Sequence, residues 1–140
     1  MIVSCPACSA KNRIPPRKLD ESPKCGKCKQ ALSPPSTPLV MESGFDFNLL
    51  LEQASLPVLV DFWATWCGPC RAVAPELVKL AKSRSGTLIV AKVDTDALPQ
   101  VASRFNIKSI PTFILFKNGD EAGRVTGAAS GATIIERLGL

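Results

Sequence analysis

Along most of the chain, short apolar runs alternate with segments in which apolar residues recur every three or four positions. Residues 56–63 and 87–93 are nearly continuous apolar runs, which are typical of strands buried on both faces of a sheet. Residues 112–117 and 121–126 flank Asn118-Gly119, a dipeptide that favours a tight hairpin turn. The pattern therefore predicts a sheet built from buried strands and a hairpin.

Helices are predicted between and after these strands. We expect them over residues 45–54, 67–83, 98–105 and 130–138, where apolar residues recur at helical spacing or fill the gap between strands. A short strand over residues 39–41 would precede the first helix. Strands that alternate with helices, followed by a hairpin and a last helix, describe an α/β domain with a mixed sheet.

The first 38 residues differ from the rest. They are rich in proline, and the run Pro34-Pro35-Ser36-Thr37-Pro38 can continue neither a helix nor a central strand. We therefore predict a module over residues 1–33, a linker over residues 34–38 and a domain over residues 39–140. The module is too short to build its own hydrophobic core and needs a staple such as a metal ion.

All six cysteines lie in three Cys-x-x-Cys pairs. The pairs Cys5/Cys8 and Cys25/Cys28 have the spacing of a single four-cysteine zinc site. Zinc is preferred to iron because nothing else in the sequence indicates electron transfer, and its binding would supply folding energy that the module lacks. We expect one structural zinc ion per chain. Partner docking and redox-triggered release of the metal are the alternatives to a purely structural role.

The third pair, Cys67 and Cys70, lies where a predicted strand ends and a predicted helix begins. The unpaired N–H groups and the dipole of a helix N-terminus favour a thiolate, which is the form that attacks disulfides. Cys67 is expected to attack first, and Cys70, one turn further in, to act second. The alternative is half of a metal site, but two further local ligands are missing and the chain has no histidine.

The segment Phe62-Trp63-Ala64-Thr65-Trp66-Cys67-Gly68-Pro69-Cys70 resembles the active-site segment of thioredoxins. Ile110-Pro111-Thr112 resembles their cis-proline loop, and Phe116-Lys117-Asn118-Gly119 resembles their hairpin. The similarity covers residues 39–140, and the cysteine pairs before it are similar to those of zinc-containing bacterial thioredoxin 2. The resemblance implies a thioredoxin fold, with a mixed central sheet flanked by helices, preceded by a small zinc-ribbon-like module.

The resemblance also implies roles for individual residues. Asp61 interrupts an apolar strand, so burial should raise its pKa, although an exposed acid at a sheet edge is the alternative. We expect Asp61 to accept the proton of Cys70, with Lys92 as its modulator, and Pro111 to follow a cis peptide bond beside the sulfurs. Trp63 is expected to be a core residue only. Substrate polypeptides are expected on a rim formed by Trp66, Gly68, Pro69, Ile110, Gly127 and Ala128.

These observations predict a protein-disulfide reductase. Cys67 would attack a target disulfide, and Cys70 would resolve the mixed disulfide, leaving a reduced target and an oxidised pair. The resemblance implies oxidised protein substrates, recycling by an NADPH-dependent thioredoxin reductase, and no bound organic cofactor. The Gly-Pro dipeptide between the cysteines resembles that of reductases. An oxidase or an isomerase is the near alternative.

The distribution of charge raises a second class of function. Residues 1–40 hold seven Lys/Arg and two Asp/Glu, so the whole net charge of +5 lies there. A basic segment can bind nucleic acid, but this one has no aromatic residue for base stacking. The preferred interpretation is that its lysines offset the charge of four thiolates around zinc. A zinc-ribbon binding module or a redox sensor, with an attached redox domain, is the alternative function.

Composition and the lack of recognisable targeting signals indicate the cellular compartment. With 46% hydrophobic and 21% charged residues, the chain has the composition of a folded globular protein. No apolar run reaches the roughly 20 residues that cross a bilayer, and the N-terminus lacks the pattern of a secretory signal. We expect a cytoplasmic monomer that binds neither membranes nor nucleic acid.

Overall fold

The computed structural model describes residues 1–140. Its elements in chain order are β1 (Ile2–Ser4), β2 (Lys11–Arg13), a 3-10 turn (Pro16–Lys18), β3 (Leu39–Val40), α1 (Gly44–Gln53), β4 (Val58–Trp63), α2 (Gly68–Ser83), β5 (Ile89–Asp94), α3 (Pro99–Arg104), β6 (Thr112–Lys117), β7 (Asp120–Thr126) and α4 (Gly131–Leu138). Every strand and helix predicted beyond residue 38 is present, and no end is displaced by more than about two residues, which is the usual uncertainty of element boundaries.

A five-stranded mixed sheet forms the centre of the molecule, in the order β3-β5-β4-β6-β7. The strands β3, β5 and β4 are parallel, whereas β6 is antiparallel to both β4 and β7. The predicted hairpin joins β6 to β7, and its turn residues Asn118 and Gly119 have φ angles of 53° and 83°. A type I′ turn, with positive φ at both central residues, matches the twist of the flanking strands and favours the Asn-Gly dipeptide.

The edge strand β7 is polar and irregular. Most of its side chains are exposed, and Arg124 pairs with Glu121 along the strand at 2.8 Å. A register shift opposite Leu115 and Phe116 interrupts the pairing of β6 with β7. The opposite edge strand, β3, is two residues long.

Two apolar clusters cover the two faces of the sheet. Because strand side chains alternate between faces, Val58, Val60 and Phe62 of β4 pack with α1 and α3, whereas Leu59 packs with α2 and α4. The same alternation places Asp61 on the face that α2 covers. The helices thus flank the sheet on both sides, as predicted, and none of them combines the length and apolarity needed to span a bilayer.

The N-terminal module does not stand apart from the sheet. Its apolar residues Ile14, Leu19 and Leu32 belong to the same buried cluster as Phe47 and Leu50 of α1. This packing explains how so short a segment becomes ordered, since its apolar residues are buried against those of α1 and the sheet. The division at residues 33 and 38 stays a prediction.

Candidate active site and metal centre

Cys67 and Cys70 stand at the start of α2 and are joined by a disulfide, with their Cα atoms 5.3 Å apart. Cys67 is the N-cap of the helix, and its Sγ accepts a hydrogen bond from the Cys70 backbone N–H at 3.2 Å. Pro69 lies in the first turn, where a backbone N–H would have no helical partner and its loss costs nothing. N–H groups directed at a sulfur favour its thiolate form once the disulfide is reduced.

Both sulfurs lie in a small buried cluster. Cys67 is 4% exposed and Cys70 is 2% exposed, so Cys70 is the less exposed of the two by a small margin. Ile110 packs against this cluster, and its carbonyl oxygen lies 3.9 Å from the Cys67 Sγ. The Ile110-Pro111 bond is cis, as the resemblance implied.

Asp61 is the only buried carboxyl group, at 1% exposure, and neither of its oxygens has a hydrogen-bond partner. Burial raises its pKa to about 7, against a smaller opposite effect of the Lys92 charge. Lys92 is its register partner on β5 and therefore lies on the same face of the sheet. The alternative of an exposed acid at a sheet edge is excluded, because β4 is the central strand.

Trp63 does not fit its prediction as a core residue only. It is half-buried and packs against the cluster of Ala64, Cys67 and Cys70. The Lys92 Nζ lies 4.4 Å from the centroid of its ring, a cation–π geometry. The prediction was wrong because Trp63 is the last residue of β4, where the strand leaves the sheet and approaches the active-site turn.

Trp66 forms the exposed border of the site. Its side chain is 67% exposed, yet its Nε1 donates a hydrogen bond to Asp96 Oδ2 at 2.8 Å. The loop after β5 holds Asp96 in place, since Asp94 Oδ1 accepts from the backbone N–H of Asp96 and of Ala97. Asp96 was missed by the sequence analysis, because an exposed acid after a strand carries no signal of its own.

The other residues predicted for the rim lie in the first turn of α2 and on two loops. The Gly127 N–H donates to the carbonyl of Pro111 at 2.8 Å, which ties the end of β7 to the cis-proline loop. All five of these residues are exposed or half-buried: Gly68, Pro69, Ile110, Gly127 and Ala128.

The other four cysteines converge in the N-terminal module. Their sulfurs all lie within 4.8 Å of one another, and the pairs Cys5/Cys28 and Cys8/Cys25 are each 3.6 Å apart. Four thiolates at about 2.3 Å from one tetrahedral ion lie about 3.8 Å from each other. The arrangement therefore fits a single four-coordinate metal ion.

Two hairpins of the same construction present these sulfurs. In the first, the Cys5 carbonyl accepts from the N–H of Ser9 and the Cys5 N–H donates to Ala10; in the second, Cys25 makes the same bonds with Lys29 and Gln30. Ser9 and Lys29 both have positive φ, at 63° and 66°. The two turns are thus a repeat with an offset of 20 residues.

N–H groups also point at one of the sulfurs. The backbone N–H groups of Cys28 and Lys27 and the side-chain amide of Asn12 lower the pKa of Cys25 to about 6. The N–H of Lys27 lies 3.4 Å from the Cys25 Sγ. The sequence gives no signal for the contribution of Asn12, because it comes from the other hairpin.

Comparisons with known proteins agree with this geometry. The thioredoxin family model matches residues 38–139. The chain belongs to the thioredoxin family. A second family model, described as the N-terminal region of thioredoxin 2, matches residues 4–30, which include all four cysteines of the metal centre. With its Cys67–Cys70 disulfide, this thioredoxin is a thiol-disulfide oxidoreductase.

Individual relatives support the assignment over nearly the whole chain. The protein is 42% identical over 128 residues to Thioredoxin C-3 of Corynebacterium nephridii, which covers 91% of this chain and 86% of that protein. It is 46% identical over 99 residues to a thioredoxin of Mycobacterium tuberculosis, which covers 71% of this chain and 84% of the relative. The crystal structure of Schistosoma mansoni thioredoxin superposes with a TM-score of 0.68 at 39% identity, covering 74% of this chain and 94% of the other.

Proposed function

We propose that this thioredoxin is a protein-disulfide reductase in which Cys67 is the attacking sulfur and Cys70 the resolving one. The observation that carries the proposal is the position of Cys67 at the N-cap of α2, with its Sγ accepting the Cys70 N–H. A Cys67 thiolate attacks one sulfur of a target disulfide, a mixed disulfide forms, and the second target sulfur leaves as a thiolate. Cys70 then attacks the Cys67 sulfur, which releases the target as a dithiol and restores the Cys67–Cys70 disulfide.

The resolving step needs Cys70 to lose a proton, and we assign that proton to Asp61. Its buried carboxyl lies on the sheet face that α2 covers, and its raised pKa of about 7 makes it a suitable base near neutral pH. It accepts the proton directly or through a water molecule. Lys92 and the ring of Trp63 modulate it from the same face of the sheet.

Oxidised proteins are the proposed substrates. The rim of Trp66, Gly68, Pro69, Ile110, Gly127 and Ala128 surrounds the sulfurs with apolar side chains and small residues, which suits an extended polypeptide. Pro111, whose carbonyl accepts from the Gly127 N–H, lies next to Ile110 in this surface. We further propose that an NADPH-dependent thioredoxin reductase recycles the disulfide, that the chain acts as a cytoplasmic monomer, and that it binds no organic cofactor.

The four-cysteine centre is proposed to hold one Zn²⁺ through Cys5, Cys8, Cys25 and Cys28. Zinc favours tetrahedral thiolate sites and has no redox chemistry of its own, so its contribution is to close the two hairpins onto one another. The packing of Leu19 and Leu32 into the core beside α1 supports a structural role.

The test compares NADPH-coupled reduction of a protein disulfide by wild type, Cys67→Ser and Cys70→Ser, with zinc measured on the same samples. Turnover is expected to vanish in Cys67→Ser, and Cys70→Ser is expected to accumulate a mixed disulfide with the target. About one zinc per chain should remain in all three proteins. A measured active-site reduction potential of about −120 mV, as in strong oxidants, would instead indicate that the protein is an oxidase.

A further inference from the structure

Asn12 lies on β2, and its side-chain amide contacts both halves of the metal centre. Its Nδ2 donates to the Ala10 carbonyl of its own hairpin at 3.2 Å and to the Cys25 Sγ of the other hairpin at 3.5 Å. Its Oδ1 accepts from the Gly26 backbone N–H at 2.9 Å. Because a backbone N–H can only donate, the Gly26 contact fixes the amide orientation: the oxygen faces the turn and the NH₂ group faces the sulfur.

The two repeated hairpins carry different kinds of residue at the position of Asn12. With an offset of 20 residues, Asn12 corresponds to Leu32, and both residues are four positions beyond the second cysteine of their pair. Leu32 is buried in the apolar core. Asn12 is half-buried, and its polar atoms are directed at the sulfurs and the turn of the opposite hairpin. Equivalent backbone positions therefore serve packing in one hairpin and the metal centre in the other.

We propose that Asn12 is a positioning residue of the metal centre, which orients Cys25 and holds the second cysteine turn in the geometry that a bound Zn²⁺ requires. This inference rests on the proposed zinc site. A thiolate keeps negative charge when it binds a metal, so an N–H donor at 3.5 Å stabilises it in the metal-bound state. The bond to Gly26 joins the turn to β2, which keeps the two cysteine pairs at a fixed separation.

Removal of a hydrogen-bond partner of a metal-binding residue typically lowers the affinity for the metal by about 10- to 100-fold. Two substitutions separate the contacts of Asn12. Asn12→Leu, which introduces the residue of the matching position, removes all three hydrogen bonds. Asn12→Asp keeps an acceptor for the Gly26 N–H, but it removes the donor to the Ala10 carbonyl and the Cys25 Sγ and places a carboxylate beside that sulfur. Gln30→Leu is the matched control, since Gln30 is an exposed amide in the same module.

The experiment measures Zn²⁺ affinity of the full-length proteins by competition with a chromogenic chelator. Visible absorption of the Co²⁺-loaded proteins reports whether four thiolates still bind the metal. We expect both Asn12 variants to lose about 10- to 100-fold in Zn²⁺ affinity while they keep the four-thiolate Co²⁺ spectrum. Gln30→Leu should bind as wild type does.

Three outcomes would overturn the inference. Wild-type affinity in both Asn12 variants would show that the amide has no influence on the metal. An equal loss in Gln30→Leu would show that any change in the module has the same effect. Failure of the wild-type protein to bind Zn²⁺ would refute the proposed zinc site itself, and the role of Asn12 with it. If Asn12→Leu does not fold, the Zn²⁺ affinity of Asn12→Asp decides the test, because the Asp side chain has nearly the same shape as that of Asn.

Discussion

Asp61 and Lys92 are register partners on the parallel strands β4 and β5, yet they form no ion pair. The Lys92 ammonium lies over the ring of Trp63, and both Asp61 oxygens are without a hydrogen-bond partner. The lysine charge opposes the rise in the Asp61 pKa, but burial has the larger effect. The carboxyl group is therefore held where it can gain or lose a proton near neutral pH.

The stability of the protein is expected to fall as pH rises through the range in which Asp61 titrates. The pKa of Asp61 is about 7 in the folded protein and 3.8 ordinarily, so the folded state binds more protons between these values. The free energy of unfolding then decreases with pH across this window, by up to about 4 kcal/mol. Asp61→Asn should remove this decrease and make the protein more stable than wild type at pH 8. Urea denaturation at several pH values measures both effects.

Asp120→Asn is the control for this series, because Asp120 is exposed at the tip of the hairpin. It should leave the pH dependence as in wild type. An Asp61→Asn variant that loses stability between pH 4 and pH 7 as wild type does would contradict the assignment.

Asp61→Asn is also expected to slow the resolving step. Without a base the Cys70 thiol has to lose its proton to solvent, and general bases contribute about 100-fold or more to such steps. The attack of Cys67 on the target should change little. Stopped-flow measurement of the mixed disulfide, with trapping by acid quench, separates the two steps. An unchanged lifetime of the mixed disulfide would show that Asp61 does not take the proton.

The hydrogen bond between Trp66 and Asp96 is expected to position the rim for substrate binding. A hydrogen bond of this kind contributes about 1 kcal/mol, so Asp96→Ala should raise KM for a protein disulfide about fivefold with little change in kcat. The fluorescence of the exposed indole should change at the same time. Glu42→Ala, an exposed acid outside the rim, serves as the control. A fall in kcat at constant KM would mean that Asp96 acts on the chemistry instead.

The shared core predicts that the module and the sheet unfold together. Leu32 is 1% exposed and packs in the same cluster as Phe47, so Leu32→Ala should cost about 3 kcal/mol of the free energy of unfolding. Tryptophan fluorescence, which reports the sheet, and Co²⁺–thiolate absorption, which reports the module, should give coincident denaturation curves. Val40→Ala, at a 62% exposed position, should have little effect. Separate transitions, with only the metal-centre curve displaced, would show that the two parts are independent.

The sequence predicted the strands and helices well because each has a local cause. The apolar run of β4 continues through Val58, Leu59 and Val60, which identifies a strand buried on both faces. Asn118-Gly119 identifies the hairpin of β6 and β7. Spacing identified the four-cysteine centre, and the position of Cys67 and Cys70 between a predicted strand and a predicted helix identified the redox pair. The cis bond before Pro111 came from family resemblance, since an X-Pro bond is trans in most proteins.

The residues that the sequence did not reveal act across the fold. Asn12 meets Cys25 only because two hairpins face each other, and Asp96 meets Trp66 only because a loop after β5 approaches the start of α2. Trp63 was predicted to be a core residue only, but it packs against the cluster of Ala64, Cys67 and Cys70. Its contact with the sulfurs depends on where the strand ends, which no periodicity reports.

The two edge strands of the central sheet affect how readily the protein aggregates. A strand with free backbone groups invites another chain to pair with it, and sheets escape such aggregation when their outer strands are short, charged or bulged. Here β3 offers two residues, while β7 carries the Glu121–Arg124 pair beside an irregular register. The sheet therefore resists recruitment into fibres, although the Trp66 side chain of the same protein is 67% exposed.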